Sequence, residues 1–221
     1  MVLDKCDHIS ILYTPGFVLR LASMNIENNN EYYSQNFKGL DFSSNSYSDI
    51  VFENCTFHGC NFSDVKFYKC KFLECSFNSS NLSNLAVNYT RFVDVNFEEC
   101  KLIGVNWTTA DWPRLNLSSP LAFTQCIIND SSFFGLYLTE ITLEHCKAHD
   151  VDFRSGNFSK AKFTHTDFTN SLFSKTNLKE ADFSEAQNYS IDVFNNEIKG
   201  ARFSKYEALS LLDSLEIELV E

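Results

Sequence analysis

Few residues of this chain have the type and spacing that chemistry requires. His145, Cys146 and His149 lie within five positions, and imidazole and thiolate are ligands that zinc prefers. The chain has seven glycines but no phosphate-cradling loop, and neither Gly-x-Ser-x-Gly nor His-Glu-x-x-His occurs. The sequence therefore predicts no enzyme and no cofactor, and it leaves one candidate zinc site to be weighed against the elements that would hold it.

Charge is the second chemical feature. The chain has 29 Asp and Glu against 18 Lys and Arg, a formal net charge of −11 at pH 7. This balance argues against direct binding of nucleic acid, because phosphates require Lys and Arg. It allows the opposite arrangement, in which carboxylates occupy a basic groove that normally holds DNA. The alternative is a solvated acidic surface that keeps the protein in solution.

The elements that carry these residues are set by a five-residue period. A large apolar residue returns at every fifth position, and the period resumes after a slip of one residue. Five residues fit neither a helix, which would turn successive side chains about 140° apart, nor a strand, which would alternate them between its faces. We expect the backbone to turn once per repeat. The centre residues are Phe52, Phe57, Phe62, Phe67, Phe72, Phe77, Leu82, Val87, Phe92, Phe97, Leu102, Trp107, Trp112 and Leu117, then Phe123 through Phe183.

The second residue before each centre is small and mostly apolar, so it also points inward. Seven of the eight cysteines occupy this position, where a thiol behaves as a small hydrophobe, and we predict that they are reduced packing residues. Cys146 is one of them, whereas His145 and His149 point outward from different positions. The three side chains therefore do not converge, and no metal site is predicted.

These repeats resemble the pentapeptide-repeat family, with its pattern A(D/N)Lxx, in Cys60-Asn61-Phe62-Ser63-Asp64 and Ala181-Asp182-Phe183-Ser184-Glu185. The resemblance implies an all-β fold, a right-handed quadrilateral β-helix with four repeats per turn, followed here by a short C-terminal helix. Columns of centre residues should then step by twenty, with Phe52, Phe72, Phe92 and Trp112 in one and Phe57, Phe77, Phe97 and Leu117 in another. Across the slip we expect a step of twenty-one.

The period divides the chain into three segments. Residues 1–34 lack it and are predicted to form a non-repeat N-terminal arm or cap, and translation could start at Met1 or at Met24. Residues 35–203 form the β-helix, with a register slip at 118–122. Residues 204–221 form a helix and strand that cap the rod and make a homodimer.

The C-terminal prediction rests on spacing. Ser204 and Glu207 are placed as a capping box before a helix from about Lys205 to Leu215, and residues 216–219 alternate like a short strand. An uncovered apolar face at the end of a solenoid favours pairing with a second copy. The predicted dimerisation residues are Ala208, Leu211, Leu212, Leu215, Ile217 and Leu219.

Within the family, the size of the chain and its ending after Phe203 are most similar to the quinolone-resistance (Qnr) type. That resemblance implies binding to a type II topoisomerase as a DNA mimic, although the large loops of some members are lacking. Stacking by twenty puts Glu74 below Asp94 and Asp130 below Asp150, and these four form the candidate acidic partner surface. The rival hypothesis is an interaction scaffold or structural module with an unrelated partner. With no apolar run long enough to span a membrane, we expect a cytoplasmic protein.

Overall fold

The strands of this chain stack in parallel, one coil on the next. In the computed structural model, which describes residues 26–112, 121–215 and 217, the chain forms a parallel β-solenoid of about eight turns. Each coil has four short sides, and equivalent sides of successive coils pair to make four faces, numbered 1 to 4 in chain order. The predicted β-helix is therefore confirmed.

The faces differ in how much regular strand they contain. Face 1 contains Glu31–Tyr33, Val51–Glu53, Lys71–Leu73 and Arg91–Val93. Face 2 contains Asn36–Lys38, Thr56–His58, Ser76–Asn78, Val95–Glu98, Leu121–Thr124, Thr142–Glu144, Asp182–Phe183 and Arg202–Phe203. Face 3 is built from single bridges, from Asp41 paired with Asn61 up to Asp167 paired with Gln187. Face 4 contains Ser46–Ser48, Lys66–Tyr68, Leu172–Phe173 and Ser190–Ile191.

The core is made of columns of stacked rings. Phe52 stacks on Phe72 with ring centroids 5.0 Å apart, Phe72 on Phe92 at 5.4 Å, and Phe92 on Trp112 at 6.2 Å. Rings in adjacent columns meet edge to face, as Phe52 and Phe57 do at 79°. Both geometries are favourable for aromatic pairs. This column is the one that the period of twenty predicts.

The interruption of the repeat differs from the prediction. Phe97 pairs with Phe123 and Lys101 with Ile127, so this coil takes 26 residues rather than the expected 21. The column position predicted for Leu117 is filled by Phe123, which stacks on Phe97 at 5.1 Å. Six residues are therefore inserted after Trp112, and most of the predicted slip at 118–122 lies outside the described residues.

The ends of the solenoid also differ from the sequence prediction. Glu31–Tyr33 pairs with Val51–Glu53 in the twenty-residue register, so regular coils begin before residue 35; residues 1–25, with Met1 and Met24, lie outside the described part. Near the other end Phe173 pairs with Ile191, a step of 18, whereas Asn177 pairs again with Glu197. Two extra residues therefore lie between Ile191 and Glu197.

Each edge between faces is a turn of left-handed backbone. At most edges the residue two positions after the centre has a positive φ, from 48° at Ser79 to 63° at Glu140 among the non-glycine residues; Thr109, in the short helix after Trp107, is an exception. Residues with a Cβ rarely adopt this region, and here the ladder holds them in place. The Glu74 amide, for example, donates to the Val93 carbonyl of the next coil at 2.8 Å.

The C-terminal helix is a 3-10 helix, Glu207–Leu215, and a second short one spans Trp107–Thr109. The predicted capping box is wrong, because the Ser204 hydroxyl donates to Glu185 Oε1 at 3.0 Å and accepts from the Glu185 amide at 2.8 Å. Neither helix of the described chain has the length or apolar character of a membrane-spanning segment.

Candidate functional site

The predicted acidic residues all lie on edges of the rod, but not on the same edge. Glu74 and Asp94 follow face 1, with φ of 51° at both positions, and Asp130 and Asp150 follow face 3, with φ of 58° and 57°. All four side chains are exposed. Because faces 1 and 3 are opposite sides of a four-sided coil, the two pairs lie on diagonally opposite edges. The predicted single acidic surface is thereby divided into two separate pairs.

The edge between faces 1 and 2 gathers one further carboxylate. Glu53 is exposed and lies on face 1, one coil before Glu74 and one residue before the turn. We call Glu53, Glu74 and Asp94 the acidic edge. Glu53 was not predicted. The signal that could have found it is its place one residue after a centre, directly before the edge.

One basic residue near the acidic edge, Arg91 on face 1, is paired with a residue of the next coil. Arg91 donates through Nε to Asp111 Oδ2 at 2.9 Å and forms an ion pair with it, so its charge is directed towards the next coil. Glu99, at the far end of face 2, accepts from the Ser79 hydroxyl at 2.9 Å.

Three carboxylates in the C-terminal half are paired with cations across coils. Glu144 lies 2.6 Å from Lys162 Nζ, and this contact lowers the pKa of the Glu144 carboxyl. Glu197 pairs with Lys179 at 2.6 Å, and Asp182 with Arg202 at 3.1 Å. Because an adjacent cation cancels much of a carboxylate's field, these three residues add little to an acidic surface.

The second pair, Asp130 and Asp150, has a weaker setting. Their amides donate to the carbonyls of His149 and Thr169 in the next coil, at 2.9 and 3.0 Å. Lys147 precedes Asp150 by three residues on face 3, as Lys71 precedes Glu74 on face 1, so both surfaces have a cation nearby, but this pair spans two coils and the acidic edge three.

The candidate zinc residues have separate surroundings. The Cys146 thiol is buried and donates to the carbonyls of Phe123 and Glu144. The His145 ring stacks on the ring of His165, with centroids 4.3 Å apart, and His149 Nε2 lies 2.8 Å from Asp167 Oδ2. Within the described ranges, no group of three His, Cys, Asp or Glu side chains could hold a metal ion. The seven described cysteines are buried free thiols.

Asp167 is the most strongly perturbed carboxyl. Partial burial raises the pKa of Asp167, but hydrogen bonds from Asn188, Thr169 and His149 together outweigh burial and lower the pKa to about 2. Asp167 Oδ1 accepts from the Thr169 hydroxyl at 2.7 Å and from Asn188 Nδ2 at 2.8 Å. These contacts join three positions of face 3 and its edge, so Asp167 has a structural role.

The predicted dimerisation residues fall into two groups. Leu211 packs against the core, and Ala208 and Leu212 are half-buried, so part of the predicted open face covers the chain's own last coil. Leu215 and Ile217 are exposed, as is Leu209, which was not predicted. Leu219 lies outside the described residues. Ser214 ties the helix to the last coil, where its Oγ accepts from the Val193 amide at 3.5 Å.

Comparison with known proteins agrees with this architecture. The sequence pattern described as "Pentapeptide repeat region" matches residues 50–120 and 112–183, while no curated protein sequence matches. A trypsin-treated variant of QnrB1, a plasmid-mediated fluoroquinolone resistance protein, has 15% identity and a TM-score of 0.66, over 86% of this chain and 100% of that one. Full-length QnrB1 has 16% identity and a TM-score of 0.52, over 85% and 100%.

A further similar structure is HetL from the cyanobacterium Nostoc sp., a pentapeptide repeat protein involved in heterocyst differentiation regulation. It has 15% identity and a TM-score of 0.53, over 79% of this chain and 85% of that one. At these identities the likeness concerns the fold, and the sequence pattern covers most of the described solenoid. The chain belongs to the pentapeptide-repeat family.

Proposed function

We propose that this protein is a non-enzymatic, cytoplasmic binding rod whose acidic edge occupies a basic, DNA-binding groove of a type II topoisomerase. The observation that carries the proposal is the acidic edge itself. Glu53, Glu74 and Asp94 lie in three consecutive coils, so a stiff parallel ladder presents carboxylates at a regular spacing.

The spacing can be compared with that of duplex DNA. About eight coils at roughly 4.8 Å each make a rod of about 38 Å. The described residues include 24 Asp and Glu against 15 Lys and Arg, a net charge of −9, which corresponds to about one charge per 4.2 Å, against about 1.7 Å in the duplex. The rod thus has roughly two-fifths of the linear charge density of DNA.

The choice of partner rests on likeness to QnrB1, which is described as a fluoroquinolone resistance protein, and on the Qnr-like length and ending. We further propose that the active species is a homodimer joined through the exposed residues of its C-terminal helix. A dimer would double the length over which a groove is engaged.

Binding to purified gyrase and topoisomerase IV tests the proposal. The test variant neutralises two carboxylates of the acidic edge, Glu74→Gln and Asp94→Asn. The matched control, Asp130→Asn with Asp150→Asn, neutralises the opposite edge at the same kind of backbone position. Affinity is measured at several salt concentrations, with supercoiling followed with and without a quinolone.

We expect the wild type to bind more weakly as salt rises, because the Debye length is about 10 Å at 0.1 M. The edge variant should lose at least about tenfold in affinity, whereas the control should keep most of it. Equal loss in both variants would mean that only overall charge matters. Absence of salt-sensitive binding by the wild type, with no change in supercoiling, would favour the alternative function.

That alternative is an interaction scaffold, and face 4 favours it. Tyr68 and Tyr89 are exposed and meet edge to face at 5.6 Å. Lys69 lies over the Tyr68 ring at 5.1 Å, and Arg154 lies 5.8 Å from the ring of Phe134. Exposed aromatic residues beside cations are typical of protein interfaces and do not resemble a phosphate backbone. A partner captured on face 4 and lost on Tyr68→Ser with Phe134→Ser would support this function.

A further inference from the structure

A groove runs along the edge between faces 4 and 1 in the last coils. Its floor is a ladder on face 1 in which Tyr137 pairs with Asn157, Asn157 with Asn177, and Asn177 with Glu197. The groove has a volume of about 390 Å³ and also contacts Lys175 and Phe194. Three coil steps of roughly 4.8 Å make the ladder about 14 Å long. It lies apart from the acidic edge, which is on the other side of face 1.

Two exposed aromatic side chains flank this groove. Tyr137 is 73% exposed and stands at the first step of the ladder. Phe194 is 77% exposed, because the two extra residues of the last coil carry it out of the repeat. Large aromatic side chains are seldom left exposed to water beside a concave surface. This pair therefore favours an apolar occupant of the groove.

The polar groups of the groove are mainly donors. The Asn157 and Asn177 side-chain oxygens accept from the amides of Ser159 and Lys179, each at 3.1 Å, and their Nδ2 atoms make no hydrogen bond within the described residues. Lys175 has no ion pair there either, whereas the one acidic lining residue, Glu197, is already paired with Lys179. Lys175 is therefore the lining residue that offers a charge to an anionic group.

The chain's own C-terminus has the complementary composition and ends nearby. Residues 216–221 read Glu-Ile-Glu-Leu-Val-Glu, and in an extended chain the alternation over 216–219 puts Glu216 and Glu218 on one side and Ile217 and Leu219 on the other. Ser214 contacts Val193, the residue before Phe194. Seven extended residues from Leu215 onward reach roughly 23 Å at about 3.3 Å each, which exceeds the length of the groove.

We propose that residues 216–221 dock in cis into this groove, with Ile217 and Leu219 against Phe194 and Tyr137 and a tail carboxylate beside Lys175. The docked tail buries the aromatic flanks and supplies acceptors to the Asn157 and Asn177 amides. The helix residues Leu209 and Leu215 stay available for the proposed dimer, while Ile217 and Leu219 are assigned to the groove instead of the dimer interface.

Disulfide trapping in the full chain tests this placement. The pair Asn177→Cys and Leu219→Cys should form an intramolecular disulfide under mild oxidation, identified by mass spectrometry. The matched control pair is Asn81→Cys with Leu219→Cys, since Asn81 has the same position in its repeat but lies on face 3. We expect the control pair to stay reduced. A covalent dimer formed by the test pair would overturn the cis placement in favour of a second copy, and equal trapping by both pairs, or none, would overturn groove docking.

A second measurement needs no engineered cysteine. Cleavage after Glu218 by a glutamate-specific protease should be slow in the wild type and about fivefold faster in Lys175→Glu, the size expected for losing a favourable exposed ion pair. Lys160→Glu is the control, because Lys160 is an exposed edge residue with a similar φ, 59° against 55°, outside the groove. The Tyr137→Ser, Phe194→Ser double variant should also accelerate cleavage. Cleavage at the wild-type rate in both groove variants would refute the proposal.

Discussion

Replacement of Phe123 by Ala probes the 26-residue coil directly. The Phe123 ring is fully buried and stacks on Phe97 with a 9° angle between the ring planes. It also meets the rings of Trp107 at 5.8 Å and Phe133 at 6.3 Å, edge to face. The substitution removes the ring that links the columns below and above the insertion.

The expected cost follows from this packing. Truncation of a buried Phe to Ala costs about 3 to 5 kcal/mol, and each lost aromatic pair adds roughly 0.5 to 1.5 kcal/mol beyond the buried area. The cavity has little scope to collapse, because the ladder from Phe97 through Phe123 to Leu143 fixes the distance between coils. We therefore expect a loss near the upper limit, about 4 to 5 kcal/mol.

Thermal unfolding followed by circular dichroism measures the effect. A loss of about 4 kcal/mol lowers Tm by roughly 8 to 16 °C for a protein of this size. Thr124→Ala is the control, because Thr124 is half-buried on the same strand but outside the column, and it should change stability by less than about 0.5 kcal/mol. Solenoids stack in one dimension and can unfold in parts, so the full transition curve is compared rather than a midpoint alone.

Leu117→Ala completes the experiment, since a one-residue slip would have placed Leu117 in the same column. We expect it to cost far less than Phe123→Ala, because Phe123 already fills that position. A large loss for Leu117→Ala together with an unchanged Tm for Phe123→Ala would refute the 26-residue register.

Two further predictions concern acid stability and assembly. Because the pKa of Asp167 is lowered to about 2, its contribution is present above about pH 4 and is lost as the pH falls through 2. Asp167→Asn should therefore cost about 1 to 2 kcal/mol at pH 7, allowing for solvent screening, and should flatten the fall of denaturant-measured stability between pH 4 and 2. For assembly, Leu209→Glu with Leu215→Glu should give folded monomers in light scattering, whereas Leu211→Glu should lower Tm, since Leu211 packs on the core. A wild type that is already monomeric at micromolar concentration would contradict the dimer.

The sequence by itself determined the repeat and its consequences. A large residue at every fifth position and a small one two residues earlier leave few ways to bury both, so the columns and the inward cysteines followed from counting. The ring stacks from Phe52 to Trp112 and the buried Cys55 and Cys75 have the predicted places. The zinc triplet could be rejected on the same grounds, because the repeat turns His145, Cys146 and His149 in different directions.

Only the tertiary structure decided where the five-residue period is interrupted and by how many residues. Both Leu117 and Phe123 are apolar and satisfy the local pattern, and the choice between them depends on which strand pairs with Val95–Glu98, a contact made across the whole coil. The period alone already separates Glu74 and Asp94 from Asp130 and Asp150, since the 36 residues from Asp94 to Asp130 are not a whole number of coils. The insertion decides which edge the second pair takes: six inserted residues, one repeat more than a one-residue slip, put it on the diagonally opposite edge instead of an adjacent one. The exposed place of Phe194 likewise follows from a coil that is first short and then long, which no local period encodes.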